Sequence, residues 1–222
     1  MDNQKYIVFT DGACLNNGKK NSIGAIGIYF NDNDNDNMGQ VITDNGAKIT
    51  NQTMELLATI QALKIIDNKI KNNQTNSNII YIYTDSTYVI NSITKWYNNW
   101  NKNNWVNAKN KPVENKELIQ LLYTLKSKYI VIFKHVRAHQ SEPSDKDSEQ
   151  YSLWRGNYMA DYLATNACKQ YIKQNEQNEQ NEQNEQNEQN EQIINPDEES
   201  IAKTKTKSKK TKSKKVINQL NV

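Results

Sequence analysis

The sequence is short of the residues that staple or anchor a protein. It has two cysteines in 222 residues, Cys14 and Cys168, far apart and without metal-ligand spacing. With only two histidines, no Cys/His set exists to hold zinc. Free thiols in a reducing compartment are the expectation. No apolar run approaches the roughly 20 residues of a membrane span. The opening Met1-Asp-Asn-Gln-Lys5 lacks the apolar core of a secretory leader. These absences argue against a disulfide scaffold, a zinc module and a membrane-embedded chain. They predict a soluble, intracellular protein, cytoplasmic or nuclear, and a monomer. Hydrophobic residues make up only 36% of the chain, and the mean hydropathy is −0.94. The deficit lies in Asn-rich loops and a polar tail, so residues 1–172 can still close one core.

Charge is unevenly placed. Residues 1–173 carry 20 basic and 16 acidic residues, a mildly basic body that suits a polyanion. From Gln174 to Gln192 the chain repeats Gln-Asn-Glu, a three-residue period that cannot form an apolar stripe. Residues 173–202 are therefore expected to be a disordered, acidic spacer. The Lys/Ser/Thr-rich segment 203–222 is expected to be a disordered tail that solvates, binds nucleic acid non-specifically or serves as a nuclear address.

The body is organised around Ile7-Val-Phe-Thr-Asp11-Gly12, an apolar run that stops at an acid. The β-branched and aromatic residues predict a central strand over 5–13, with Asp11 near its end. Further strands are predicted over 23–30, 41–49, 79–85 and 129–135. Asn31 to Asn37 reads as a solvated hairpin tip, since the ligand spacing and closing Glu of a calcium loop are missing. Helices are expected over 50–66, 86–93, 114–126 and 157–168, with a long mobile loop over 141–156. Glu55 falls in the first turn of the 50–66 helix. Ile79 to Asp85 ends in Thr-Asp, as the first strand does. That echo predicts two neighbouring strands whose carboxylates emerge side by side. Asp161 lies among small and apolar neighbours, where an acid wants a partner.

Four acids thus stand out: Asp11, Glu55, Asp85 and Asp161. Brought together, they would repel one another and hold their protons unless divalent cations sat between them. An oxygen-only set suits Mg²⁺ or Mn²⁺, and two such ions suit in-line phosphoryl transfer. A loop histidine, His139, could move a proton to the leaving group. Residues 94–112 interleave Trp96, Trp100 and Trp105 with Lys and Asn. This is the composition of an aromatic mini-core and also of a nucleic-acid contact.

The ordered motifs resemble one family over residues 5–170. They are Thr-Asp-Gly-Ala-Cys-Leu, Asn-Gln-Thr-Met-Glu-Leu-Leu-Ala, Tyr-Thr-Asp-Ser-Thr-Tyr-Val, Ile-Thr-Lys-Trp-(x)₃-Trp, Lys-Pro-Val-Glu-Asn, Val-Arg-Ala-His and Asn-(x)₃-Asp-(x)₂-Ala. The chain is similar to type 1 ribonuclease H. The resemblance implies an α/β fold with a five-stranded mixed sheet, three antiparallel strands then two parallel ones, and helices on both faces. It implies hydrolysis of the RNA strand of RNA–DNA hybrids with two Mg²⁺ ions, leaving 5′-phosphate and 3′-hydroxyl ends. Asp11 would bridge both ions, Asp161 would share the water-activating one, and Glu55 and Asp85 the one on the leaving-group side. His139 would aid proton transfer or product release. Glu55 would also sense a ribose 2′-hydroxyl. Asn17, Asn51 and Gln52 would hold the minor groove, Thr50 a DNA phosphate and Trp96 a deoxyribose. Lys102 would contribute to a basic handle over 94–112, and Asn157 would contact substrate. The handle carries Asn where relatives carry basic residues, Thr87 stands where some carry a longer amide, and the loop after His139 is longer. No hybrid-binding domain is read ahead of Asp11. Integrase-like cleavage of duplex DNA, a catalytically dead binding module and a polyprotein fragment are the competing readings.

Overall fold

A computed structural model of the chain describes residues 5–43, 48–73 and 79–194. Five strands form one sheet in the order β3-β2-β1-β4-β5. They are β1 (Tyr6–Leu15), β2 (Ile23–Tyr29), β3 (Met38–Ile42), β4 (Ile79–Thr84) and β5 (Ile130–His135). β1, β2 and β3 run antiparallel, and β4 and β5 join β1 in parallel. The mixed sheet is the expected one. Val8, Ile80 and Ile82 are fully buried, each contributing about 1.5–3 kcal/mol by leaving water.

Helix α1 (Asn51–Asn73) packs on β1 and β2 and against α4 (Lys116–Lys126). Its Leu56, Ile60, Leu63 and Ile66 are buried at the three- and four-residue spacing of a core-facing stripe, and Met54 is buried as well. Gly12 makes the approach possible. A Cβ there would collide with the Met54 and Glu55 backbone, so only glycine lets β1 and α1 touch beside Asp11. On the sheet's other face lies α5 (Glu149–Ile194). Ala160 joins Phe9 and Tyr29 in a small apolar cluster, and a Cβ on Gly27 would strike the Ala160 carbonyl.

Several boundaries differ from expectation. β1 continues four residues past Asp11 because β2 pairs with it as far as Leu15↔Ile23. β3 begins at Met38, before the predicted 41, because the hairpin tip closes early and Ile28 pairs with Met38. Residues 44–47, within the predicted strand, lie outside the described residues. The predicted helix 86–93 is instead α2 (Thr87–Asn91), a π turn (Ser92–Trp96) and α3 (Tyr97–Lys102). Trp105 is buried there, edge-on to Tyr97 with centroids 5.6 Å apart.

The chain divides into two compact units, Met1–Lys173 and Gln174–Val222. Helix α5 is continuous through the Gln-Asn-Glu repeat to Ile194. Side chains 174–184 are exposed. The physical reason is propagation: a formed helix extends at little cost through Gln and Glu when no Gly or Pro interrupts it. The rest of the spacer and the Lys-rich tail lie outside the described residues.

Candidate active site

The sheet's parallel half sets up the site. β1 pairs with β4 only from Tyr6↔Ile80 to Phe9↔Tyr83. Asp11 is therefore mid-strand toward β2, opposite Gly27, yet just beyond the last rung toward β4. Asp85 follows the last residue of β4 directly. Both acids thus leave the carboxyl ends of parallel strands, where such sheets open a crevice. Glu55 comes from α1, past its first turn and not within it. Asp161 comes from α5.

The electrostatics tie these acids together. Burial, then the nearby Asp85, Asp161 and Glu55 charges, push Asp11 up to about 8 against the opposing Gly12 N–H. That amide donates to Asp11 Oδ1 at 2.7 Å. Burial raises Glu55 as well, with Asp85 adding to it and the Ser86 hydroxyl opposing. Asp85 is raised by burial and by Asp161, while the Asn157 amide and His139 pull the other way. Among the described residues none of the four acids is in a salt bridge. Also among the described residues, no three His, Cys, Asp or Glu side chains lie close enough together to hold a metal ion. The acids act on one another through space in a largely buried setting.

Two supporting residues were not singled out as functional in the sequence. Ser86 caps α2, accepting from Val89 N at 3.1 Å, and donates its hydroxyl to Glu55 Oε2 at 2.5 Å. A serine just before an apolar helical stretch is the signal that marks such a cap. Trp154 donates its indole N–H to the Gln140 carbonyl at 2.9 Å. This holds the loop that carries His139, itself in the left-handed region at φ 50°. The predicted mobile loop over 141–156 is thus shorter, because α5 starts at Glu149.

His139 lines a cavity of about 40 Å³ with Asp85, Asp161, Asn157, Arg137 and Tyr158, room for about one water-sized group. Asn157 is buried, and its Oδ1 has no hydrogen-bond partner among the described residues. Asn17, Thr50, Asn51 and Gln52 come together elsewhere, lining one groove of about 950 Å³ with Lys48 and Asn115. The Asn51 N–H donates to Asn17 Oδ1 at 3.4 Å. Trp96 is 38% exposed beside Trp100, with centroids 5.3 Å apart, and Lys102 is exposed at the end of α3.

A family model described as RNase H matches residues 3–169. The chain belongs to the RNase H family. It is 36% identical to ribonuclease HI of Rickettsia prowazekii over 160 residues, 72% of this chain and 88% of that one. It is 40% identical to a ribonuclease H of Clostridium botulinum over 137 residues, 61% of this chain and 85% of that one. Among solved structures it is similar to LC9-RNase H1, a type 1 RNase H with the type 2 active-site motif. The TM-score is 0.53 at 22% identity, over 76% of this chain and 74% of that one. A foamy viral protease-reverse transcriptase in complex with double-stranded DNA matches with TM-score 0.52 at 22% identity, over 73% and 93%. These structural likenesses show the fold. RNase H membership in the type 1 form makes the chain a nuclease and a hydrolase. No helix among the described residues is long and apolar enough to cross a membrane.

The residues present fit a divalent metal. The donors are all oxygens, three of the carboxylates are pushed toward protonation, and a buried Asn157 oxygen faces no donor. Hard cations prefer such sets.

Proposed function

We propose that the protein hydrolyses the RNA strand of RNA–DNA hybrids and leaves 5′-phosphate and 3′-hydroxyl ends. One observation carries the reading: Asp11 feels the Asp85, Asp161 and Glu55 charges, has no salt-bridge partner among the described residues and, with burial, is pushed up to about 8. Asp11, Glu55, Asp85 and Asp161 are the residues that would hold two Mg²⁺ or Mn²⁺ ions. Bound there, the ions supply charge neutralisation at the phosphodiester and a water of lowered pKa.

The chain's own residues supply the rest. Ser86 orients Glu55 through its hydroxyl, and Asn157 orients Asp85. His139 moves a proton at the leaving oxygen, from a loop that Trp154 holds in place. The groove of Asn17, Thr50, Asn51 and Gln52 takes the hybrid's backbone and minor-groove edges. Trp96 offers an exposed ring face for a sugar, and Lys102 a charge for a phosphate. Removal of RNA primers or of RNA–DNA hybrids formed in a duplex is the work such cleavage fits. The names of the relatives, ribonuclease HI and ribonuclease H, support the same reading.

The test is a side-by-side assay on hybrid, duplex RNA and duplex DNA, with Mg²⁺ and then with a chelator. Cleavage of the hybrid's RNA strand alone, abolished by the chelator, is expected. Equal cutting of duplex DNA, or cutting that survives chelation, overturns the proposal. Deleting residues 174–222 removes eight lysines at the end of the chain. The salt dependence of hybrid binding should then become shallower, and an unchanged slope would remove the tail from the substrate interface.

A further inference from the structure

Helix α5 turns Ala160, Ala164 and Gly156 toward the sheet. On the far side it carries Trp154, Tyr158 and Tyr162, each four residues from the next. Their rings form a ladder. The Trp154 and Tyr158 centroids are 5.3 Å apart with planes 17° from parallel, and Tyr158 and Tyr162 are 6.4 Å apart at 16°. Tyr151 extends it at the amino-terminal end, 5.5 Å from Trp154. Tyr158 is 49% and Tyr162 47% exposed. None of the four rings belongs to either apolar core cluster. Core packing therefore does not account for them. Elsewhere the stacked pair Tyr97 and Tyr123 packs against the main core.

The ladder is continuous with the candidate active site. Trp154 and Tyr158 line the same small cavity as Asp85, Asp161 and His139, and Arg137 adds a positive charge there. From Trp154 to Tyr162 the ladder spans about 12 Å of helix, running beside that cavity and ending one residue past Asp161, which lines it. Exposed aromatic rings beside a basic group form a sequence-indifferent surface for unpaired bases.

The geometry points to a stacking site for single-stranded RNA on α5, receiving unpaired nucleotides that continue from the RNA strand at the catalytic acids. This rests on the reading of those acids as an RNA-cleaving site. A hybrid whose RNA strand overhangs its DNA would be held by both surfaces at once, whereas a blunt hybrid would use only the groove.

The experiment measures binding of the full chain in chelator, where cleavage is absent. The probes are a labelled blunt hybrid and hybrids with an unpaired extension of about six nucleotides, as RNA at either end or as DNA. One RNA extension should tighten Kd about tenfold. Tyr162→Ala should remove that gain, Tyr162→Phe should keep it, and neither should change the blunt-hybrid Kd or the melting temperature. Equal Kd for blunt and extended hybrids overturns the proposal. A gain that survives Tyr162→Ala does so too, since phosphates alone then explain it, as does an equal gain from the DNA extension. Cleavage of the blunt hybrid in Mg²⁺ is measured in parallel. Ring-dependent binding without cleavage rejects the nuclease reading and leaves the stacking site, whereas cleavage without ring-dependent binding rejects the stacking site alone.

Discussion

At the tip of the β2–β3 hairpin each aspartate has a cation at salt-bridge distance, whereas among the described residues none of the acids at the carboxyl ends of β1 and β4 has one. Lys69 Nζ reaches Asp34 at 2.8 Å and Asp36 at 2.9 Å. Arg155 donates to Asp32 at 2.6 Å, and the Tyr29 hydroxyl donates to the same oxygen at 2.7 Å. On α1, Asp67 receives Lys71 Nζ and the Tyr129 hydroxyl, both at 2.6 Å. The Arg155 and Lys71 hydrogen bonds hold Asp32 and Asp67 below the usual carboxylate range. Burial pushes Asp34 up, but the Lys69 ammonium outweighs it and the net shift is down. Asp11, Glu55 and Asp85 all move up. The same residue type is a structural tie in one place and a stored repulsion in the other. What differs is whether a positive side chain answers it, and a fold that can answer acids elsewhere leaves this set open.

The sharpest break is Asp11→Asn. It removes the most perturbed charge, so hybrid cleavage should fall on the order of a thousandfold or more, while the melting temperature holds or rises because a repulsion is relieved. Retention of even a tenth of the activity would detach the acids from the chemistry.

The second contrast is in pH. Between the ordinary aspartate value of 3.8 and about 8, the unfolded chain has released the Asp11 proton that the folded chain keeps. The folded state then binds more protons, so stability falls as pH rises across that window. In chelator the wild type should melt about 5 °C lower at pH 8 than at pH 5, and Asp11→Asn should flatten the difference. Asp32 and Asp34 have the opposite sign: their contribution is present above pH 3.8 and is lost as pH falls below it. A wild-type melting curve that rises from pH 5 to pH 8 would contradict the burial of Asp11.

Ser86→Ala comes next. It removes the α2 cap and the hydrogen bond to Glu55 together, at a cost of about 1–2 kcal/mol, and should slow cleavage several-fold. Chemical denaturation and initial rates measure the two effects. The smallest effect belongs to the paired set. Lys69→Met leaves Asp34 and Asp36 unanswered, but both partners touch solvent. The loss should be about 0.5–1 kcal/mol, with cleavage unchanged, and a fall in activity would show that the hairpin is coupled to the site.

The Thr-Asp echo at Asp11 and Asp85 was legible because strand patterning has a period of two and an acid interrupts it visibly. It predicted neighbouring strands, and β1 and β4 are neighbours that run parallel. The ionic hairpin was not legible. Lys69 lies 35 residues from Asp34, and Arg155 lies 123 residues from Asp32, so nothing in the local pattern distinguishes their acids from a solvated turn. Trp154 was hidden for a related reason: its stretch is polar, and its helicity depends on Gly156 and Leu153 finding Phe9.

By itself the sequence determined the order of strands and helices, the four acids and their family motifs, because those depend on residue type and short-range spacing. The tertiary structure decided which carboxylates are neutralised and which are not. That follows from through-space distance and burial, which bring Ser86 to Glu55, Asn157 to Asp85 and three acids around Asp11. Charges separated along the chain become a site only when the sheet and two helices exclude water between them.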